Sequence, residues 1–239
     1  MLLGDSCVDQ YQFGTVERLS PEAPVPVFCP THSYSRPGMV GNVAHNLETL
    51  GCSVSLLSGE ASVKTRLIDQ RSGQQILRID QDKVSAALVI ETELPPVYDA
   101  VVVSDYNKGT VSYELIKDLI KMSQVPVFVD TKKTDLASMR GAWVKINELE
   151  HSRLTTDCPN LIVTRGSRGA EIVNQGLSFA APRVEVADVT GAGDTFLAAL
   201  TYQYLVCNDI VSAVQFAIRA AAITVQHLGV YAPSLEEIQ

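Results

Sequence analysis

Asp188-Val-Thr-Gly-Ala-Gly-Asp-Thr-Phe196 places two carboxylates, two threonines and two glycines directly before a strongly helical run, Phe196 to Val206. Gly191 and Gly193 allow a tight turn where a side chain would clash. The first N–H groups of the following helix have no intrahelical partner and lie at the positive end of its dipole. Such a terminus accepts anions, phosphate among them. Asp194 falls in that first turn, where its carboxylate can face the same anion. A base beside an anion hole is what transfer of a phosphoryl group to an alcohol requires. Asp188, Thr190 and Asp194 can equally do no more than cap a helix, and at this level both readings stand.

Other residues divide in the same way. Asn147-Glu-Leu-Glu150 sets an amide and a carboxylate one helical turn apart, which suits a magnesium ion held through waters or a plain solvated acidic face. Arg165-Gly166-Ser-Arg168-Gly169 offers backbone N–H groups and guanidinium to phosphates, or a turn into a hairpin. Asp9 suits substrate hydroxyls or the cap of a turn. Asn42 suits a ligand or a helix N-cap. Lys108 and Lys132 are loop lysines, of a kind most often simply solvated.

The elements that would position these residues follow from periodicity. Met1–Leu3 is a clipped strand. Tyr11–Tyr34, with Pro21, Pro24 and Pro26, reads as a small strand excursion, a lid or an interface. A helix is expected from about Asn42 to Leu50, ended by Gly51. Strands are expected at 54–57, 88–90, 100–104, 125–129, 143–146 and 161–164, with hairpins around Ser72-Gly73 and Asn174-Gln-Gly176. Helices are expected at 111–122, 191–206 and 209–228, with Gly229 as C-cap and a Ser234/Glu237 capping box after it. The alternation of strand, turn and helix implies a mainly parallel sheet covered on both faces. Asp105, Asp130, Asn147, Arg165 and Asp194 all fall just past expected strands, where such folds hold their ligands.

The 239 residues suffice for one large α/β domain or two small ones. A net charge of −8 argues against general nucleic-acid binding. Five dispersed cysteines without C-x-x-C, and four histidines without zinc spacing, fit a reduced, cytoplasmic chain with no zinc site. No apolar run spans a membrane and no signal peptide is evident. G-x-x-x-x-G-K-[ST] and an early G-x-G-x-x-G are both missing, against a P-loop or a dinucleotide enzyme.

Asp188–Asp194 resembles the D-x-T-G-A-G-D signature of the ribokinase-type (PfkB) carbohydrate kinases, and Asn147–Glu150 their N-x-x-E. Gly4–Asp9, Arg18–Val27, Pro37–Ala44 and Ser104-Asp-Tyr-Asn-Lys-Gly109 are similar to the heptose-phosphate kinases of that family. The resemblance covers nearly the whole chain. It implies an α/β, ribokinase-like three-layer sandwich, one domain over 1–239, with a β lid at about 10–35. It implies Asp194 as the base, and an anion hole at Gly191, Ala192 and Gly193. Asp9, Gly38 and Asn42 would lie in the sugar pocket. Thr164, Arg165, Gly166 and Gly169 would lie along ATP, and Asn147 and Glu150 at magnesium. The implied acceptor is a sugar or sugar phosphate, best matched by D-glycero-β-D-manno-heptose 7-phosphate at its anomeric hydroxyl. Its existing phosphate would need a second cation, for which Lys108 is the candidate, with Arg18 or Arg36. Neither nucleic acid nor membrane is an expected partner, and a homodimer through the lid is.

The chain also departs from the family pattern. Gly38-Met39 replaces a Gly-Gly pair, and Ile218-Arg219 replaces Asn-Ala near the expected adenine pocket. A helix and strand are missing between Ser58 and Lys64, and the stretch from Glu150 to Asn160 is short. The expectation is a minimal, stand-alone kinase. The alternative is a degenerate kinase fold that binds a sugar phosphate or nucleotide without turnover.

Overall fold

The computed structural model describes residues 1–90 and 97–238. An eight-stranded sheet runs through the body. Its strands are β1 (Leu2–Gly4), β4 (Leu56–Ser58), β7 (Val101–Asp105), β8 (Val127–Thr131), β9 (Trp143–Asn147), β10 (Leu161–Thr164), β11 (Ala170–Ile172) and β12 (Leu177–Phe179). Their order is β12-β11-β10-β9-β8-β7-β1-β4. All pairs are parallel except β10–β11 and β11–β12, the expected hairpin.

The continuous apolar runs arise because both sheet faces are covered. Leu2, Val102, Phe128 and Ile162 pack under helices α1 (Val40–Thr49), α4 (Ala192–Cys207) and α5 (Ile210–Thr224). Leu3, Val101, Val103, Val129 and Val144 face the other way, toward α2 (Tyr113–Met122) and Leu136 and Met139. Two short helices complete the body, α3 (Glu148–His151) and α6 (Leu235–Ile238), the latter after a Ser234 that bonds Glu237.

The lid is larger than the excursion expected at about 10–35. It is a four-stranded sheet, β3-β2-β5-β6, of β2 (Ser6–Leu19), β3 (Pro26–Met39), β5 (Ser62–Asp69) and β6 (Gln75–Gln81). Asp9 therefore lies within a strand and not in a turn. The strand expected at 88–90 is instead an extended segment, tied by one bond from the Leu88 N–H to the Thr110 carbonyl. The last long helix stops at Thr224, with Val225 as its C-cap, and Gly229 lies in the loop beyond.

The trimmed regions fall where expected. From β4 the chain passes straight into the lid strand β5, and no helix occupies Ser152–Asn160. The cost is an exposed edge at β4, where Leu56 and Leu57 are each about two-fifths exposed. Met39 takes φ 52° and ψ −126° at the start of α1, a conformation that favours glycine. Its buried side chain compensates part of that strain.

Candidate active site

Helix α4 begins at a left-handed Gly191 (φ 80°) and has no side-chain cap. The N–H groups of Gly193 and Asp194 donate to no protein acceptor among the described residues. They form the exposed positive end of a sixteen-residue helix. Asp188 does not point at this terminus. Its carboxylate accepts from the Thr190 N–H (2.9 Å), the Thr190 hydroxyl (2.7 Å) and the Gly229 N–H (2.9 Å). Of the two aspartates in the motif, Asp188 thus holds the turn and Asp194 faces the site.

Asp194 is buried, and both of its oxygens are engaged. Oδ2 accepts from Asn42 Nδ2 on α1, at 2.9 Å, and Oδ1 from the Tyr106 hydroxyl, at 2.9 Å. Asn46 Nδ2 donates to the Asn42 main-chain carbonyl, at 2.8 Å, and to Asn42 Oδ1, at 3.3 Å, which fixes the orientation of the Asn42 amide. Burial pushes the Asp194 carboxyl up to about 6, with Asp130 adding to it, while the bonds from Asn42 and Tyr106 and the charge of Lys145 hold it down. A carboxylate with that poise is a competent general base near neutral pH.

Two lysines and two further carboxylates extend the centre. Lys145 on β9 pairs with Asp130 on β8 at 2.7 Å, both buried, and its Nζ lies 3.3 Å from the Gly193 carbonyl. Lys132 pairs with Glu150. Burial pulls the Lys132 ammonium down, but Asp130, Glu150 and Asp194 outweigh it and raise it overall. Lys132 is therefore part of the centre and not a solvated loop residue. Asn147 and Glu150 form a capping box at the start of α3, with the Glu150 N–H to Asn147 Oδ1 at 2.9 Å and the Asn147 N–H to Glu150 Oε2 at 2.7 Å. Asp130 Oδ1 is buried without a hydrogen-bond partner, an open acceptor beside the site. This donor set fits a magnesium ion held largely by waters and by nucleotide phosphates. Among the described residues no three His, Cys, Asp or Glu converge as direct ligands.

From the start of α4 a cavity of about 350 Å³ runs between the β10–β11 turn and helix α5. Thr164, Gly166, Gly169, Ala192 and Gly193 line it, with Val225 and Ile218 on its apolar wall. Gly169 (φ 92°) cannot be replaced there, since a Cβ would meet the Phe179 carbonyl at 1.9 Å. Arg165 is not brought to this cavity. It bonds Glu171 at 2.6 Å and Glu148 at 2.9 Å, and Arg168 also pairs with Glu148. The expected guanidinium cradle is thus spent on structural ion pairs, and Arg183, rather than Arg165 or Arg168, lines the cavity among glycines and mostly apolar side chains.

On the opposite side of Asp194 stands the inner face of the lid. Strand register places Arg36, Asp9 and Lys64 in one row and Tyr34, Tyr11 and Arg66 in the next. Asp9 pairs with Arg66 at 2.5 Å. Gly38 is required beside it, because a Cβ would lie 2.1 Å from Asp9 Oδ2. Arg36 donates to the Val230 carbonyl at 2.6 Å. Lys108 is paired with Asp82 at 2.6 Å, and its N–H donates to Asp5. The sequence pattern does not single out Tyr106, Lys145 or Asp5. Tyr106 lies inside a matched stretch, but only the fold shows where its hydroxyl goes.

A family model described as pfkB family carbohydrate kinase matches residues 61–238. Among curated proteins, the bifunctional protein HldE of Nitratiruptor sp. is 33% identical over 296 aligned positions, covering all of this chain and 64% of that protein. The bifunctional protein HldE of Marinomonas sp. is 33% identical over 299 positions, with 100% and 62% covered. The chain thus spans less than two thirds of their length, and the alignments exceed its 239 residues because these relatives carry segments it lacks. Among solved structures, phosphofructokinase-2 from Escherichia coli in complex with potassium superposes with a TM-score of 0.73 at 17% identity, covering 100% and 96% of the two chains. Arabidopsis thaliana ribokinase complexed with ribose and ATP gives 0.71 at 16%, covering 99% and 96%.

Proposed function

Because the chain belongs to the pfkB family of carbohydrate kinases, we propose that it moves the γ-phosphoryl group of ATP, with magnesium, onto the anomeric hydroxyl of a heptose 7-phosphate. The observation that carries the phosphoryl-transfer part is a buried Asp194 at the start of α4, beside two unpaired N–H groups that open onto an apolar cavity.

The chain's own residues divide the work. The cavity from Val225 to Gly166 is the site for the adenosine, and its end at Ala192 and Gly193 receives the phosphates. ATP supplies the phosphoryl group, and magnesium would neutralise charge on its oxygens. The Gly193 and Asp194 N–H groups stabilise negative charge on the transferring group, with Lys145 adjacent. Asp194 takes the proton of the acceptor hydroxyl as that oxygen attacks. Asn42 holds the carboxylate for this, and Asp9 on the lid offers the acceptor's hydroxyls a partner. Asn147 and Glu150 would help to hold magnesium, which would supply charge neutralisation at the phosphates.

The heptose assignment rests on the likeness of residues 4–44 and 104–109 to heptose-phosphate kinases, and on relatives that bear the name HldE. The lid supports an anionic acceptor, since its inner face carries Arg36, Lys64 and Arg66. An ADP-release assay across sugars and sugar phosphates tests it. Preference for a heptose 7-phosphate is expected. Best use of ribose or fructose would remove the heptose but keep the kinase, and no ADP release with any acceptor would favour a binding module.

A homodimer through the lid belongs to the same proposal. Leu19, Val25, Leu77 and Ile79 are exposed apolar lid residues that a second copy would cover. Light scattering at micromolar concentration should give twice the chain mass. Cytoplasmic residence is likewise proposed. No described helix is long and apolar enough to cross a membrane.

A further inference from the structure

We infer that Tyr106 is a positioning residue that keeps the base Asp194 ionised in the acid half of the working pH range. The inference rests on the reading of Asp194 as base.

Tyr106 belongs to the loop after β7, and that loop is built rather than loose. The buried carboxylate of Asp5 accepts three of its backbone N–H groups, from Tyr106 (2.8 Å), Lys108 (3.0 Å) and Thr110 (3.2 Å). Asp105, at the end of β7, accepts from the Asn107 N–H (2.9 Å), Thr131 Oγ1 (2.6 Å) and Lys133 Nζ (2.9 Å). Asn107 takes a left-handed φ of 57° and turns the chain. Two buried aspartates thus fix the backbone on either side of a single aromatic ring. That investment delivers one hydroxyl to 2.9 Å from Asp194 Oδ1.

The ring is also held by charge. Lys132 from the body lies 5.2 Å from its centroid, and Lys64 from the lid lies 5.9 Å from it. Burial, then the charge of Asp194, raise the phenol well above its ordinary range. The hydroxyl therefore stays protonated and can only donate toward an ionised Asp194. Hydrogen bonding to the charged form favours that form. The other groups facing Asp194 are Asn42 of α1, Asp130 of β8, Lys145 of β9, Lys132 after β8 and Cys7 of β2. Asp130 opposes ionisation, and burial opposes it more. With Asn42 committed to Oδ2, Tyr106 is the donor on Oδ1.

Tyr106→Phe keeps the ring and its lysine contacts and removes only the donor. The readout is kcat/KM against pH, from about 5 to 9, with the acceptor preferred in the panel above. The acid limb of the variant should move up by about one pH unit, the scale of one charge-assisted hydrogen bond. Its deficit at pH 6 should then exceed its deficit at pH 8.5 by roughly fivefold. Replacing Tyr106 with a fluorotyrosine, a more acidic donor, should move the limb the other way. A purely structural tyrosine would give a uniform loss with the limb in place, and that result in either variant overturns the inference. Asp194→Asn run alongside separates the two levels. If it retains turnover, the base assignment has failed. If it is dead while the Tyr106 variants leave the limb unmoved, only the inference has failed.

Discussion

The two sides of Asp194 recognise by opposite means. The cavity on the α5 side is mostly apolar, lined by glycines, aliphatic side chains and Phe196 with Arg183 among them, while Arg165 and Arg168 turn away to Glu148 and Glu171. The lid side is crowded with charge, and several of its cations already have a carboxylate partner: Arg66 with Asp9, Lys108 with Asp82, Lys132 with Glu150. Shape and main-chain N–H groups suffice for a ligand that is always the same. A variable sugar needs side chains, and pairing keeps those charges in place at tolerable desolvation cost. Asp194, the proposed base, stands between the two regimes, and its poise depends on groups from both.

Removing the base should have the largest effect. Asp194→Asn should lower kcat by about 100- to 10,000-fold while ATP binding changes little. The same variant should be more stable at neutral pH. The folded value of about 6 lies above the ordinary 3.8, so the wild-type contribution to stability is whole below the ordinary value and is lost as pH rises through 6. An uncharged isostere should recover up to about 3 kcal/mol at pH 7. Its amide oxygen can face Asn42 and its NH₂ the Tyr106 hydroxyl. Urea melts should show that gain shrinking toward pH 4, and equal melts at every pH would mean the carboxyl is not strained by burial.

Altering either side should affect one substrate and spare the other. Ala221→Leu places three more carbons in the apolar cavity, and overpacking of about 1 to 3 kcal/mol predicts a roughly 5- to 150-fold rise in ATP KM. The acceptor KM should stay. On the other side, Lys108→Ala should raise the KM of a phosphorylated acceptor by roughly 10- to 150-fold, if that phosphate displaces Asp82. ATP KM should not follow. An unphosphorylated sugar should be indifferent to this change, and a parallel rise for both acceptors would assign Lys108 to the loop alone. The smallest effect belongs to Glu150→Gln, which preserves the capping geometry but removes the charge. The magnesium needed for half-maximal rate should rise several-fold, and an unmoved titration would leave Glu150 as a cap.

Much of the fold was legible because it is local. Alternation of β-branched runs with amphipathic stretches places β7 through β10 and their helices to within two or three residues. The lid was harder. β3 is largely exposed and β2 loses its alternation and burial in its second half, so neither signal marks where β2 ends and β3 begins, and β5 and β6 join them from beyond α1. Arg165 shows the same limit at the site: a phosphate cradle and a structural ion pair use the same residue, and Glu171 on the next strand and Glu148 on α3 decide between them.

By itself the sequence determined that a short run ending in Asp194 would start a helix with free N–H groups at a sheet's carboxyl edge, because glycine spacing and helix polarity are properties of neighbours along the chain. The tertiary structure alone decided how readily the Asp194 carboxylate takes up a proton. That depends on Asn42, Tyr106, Asp130 and Lys145, which come from four separate elements and act through space, where burial and charge count and sequence distance does not.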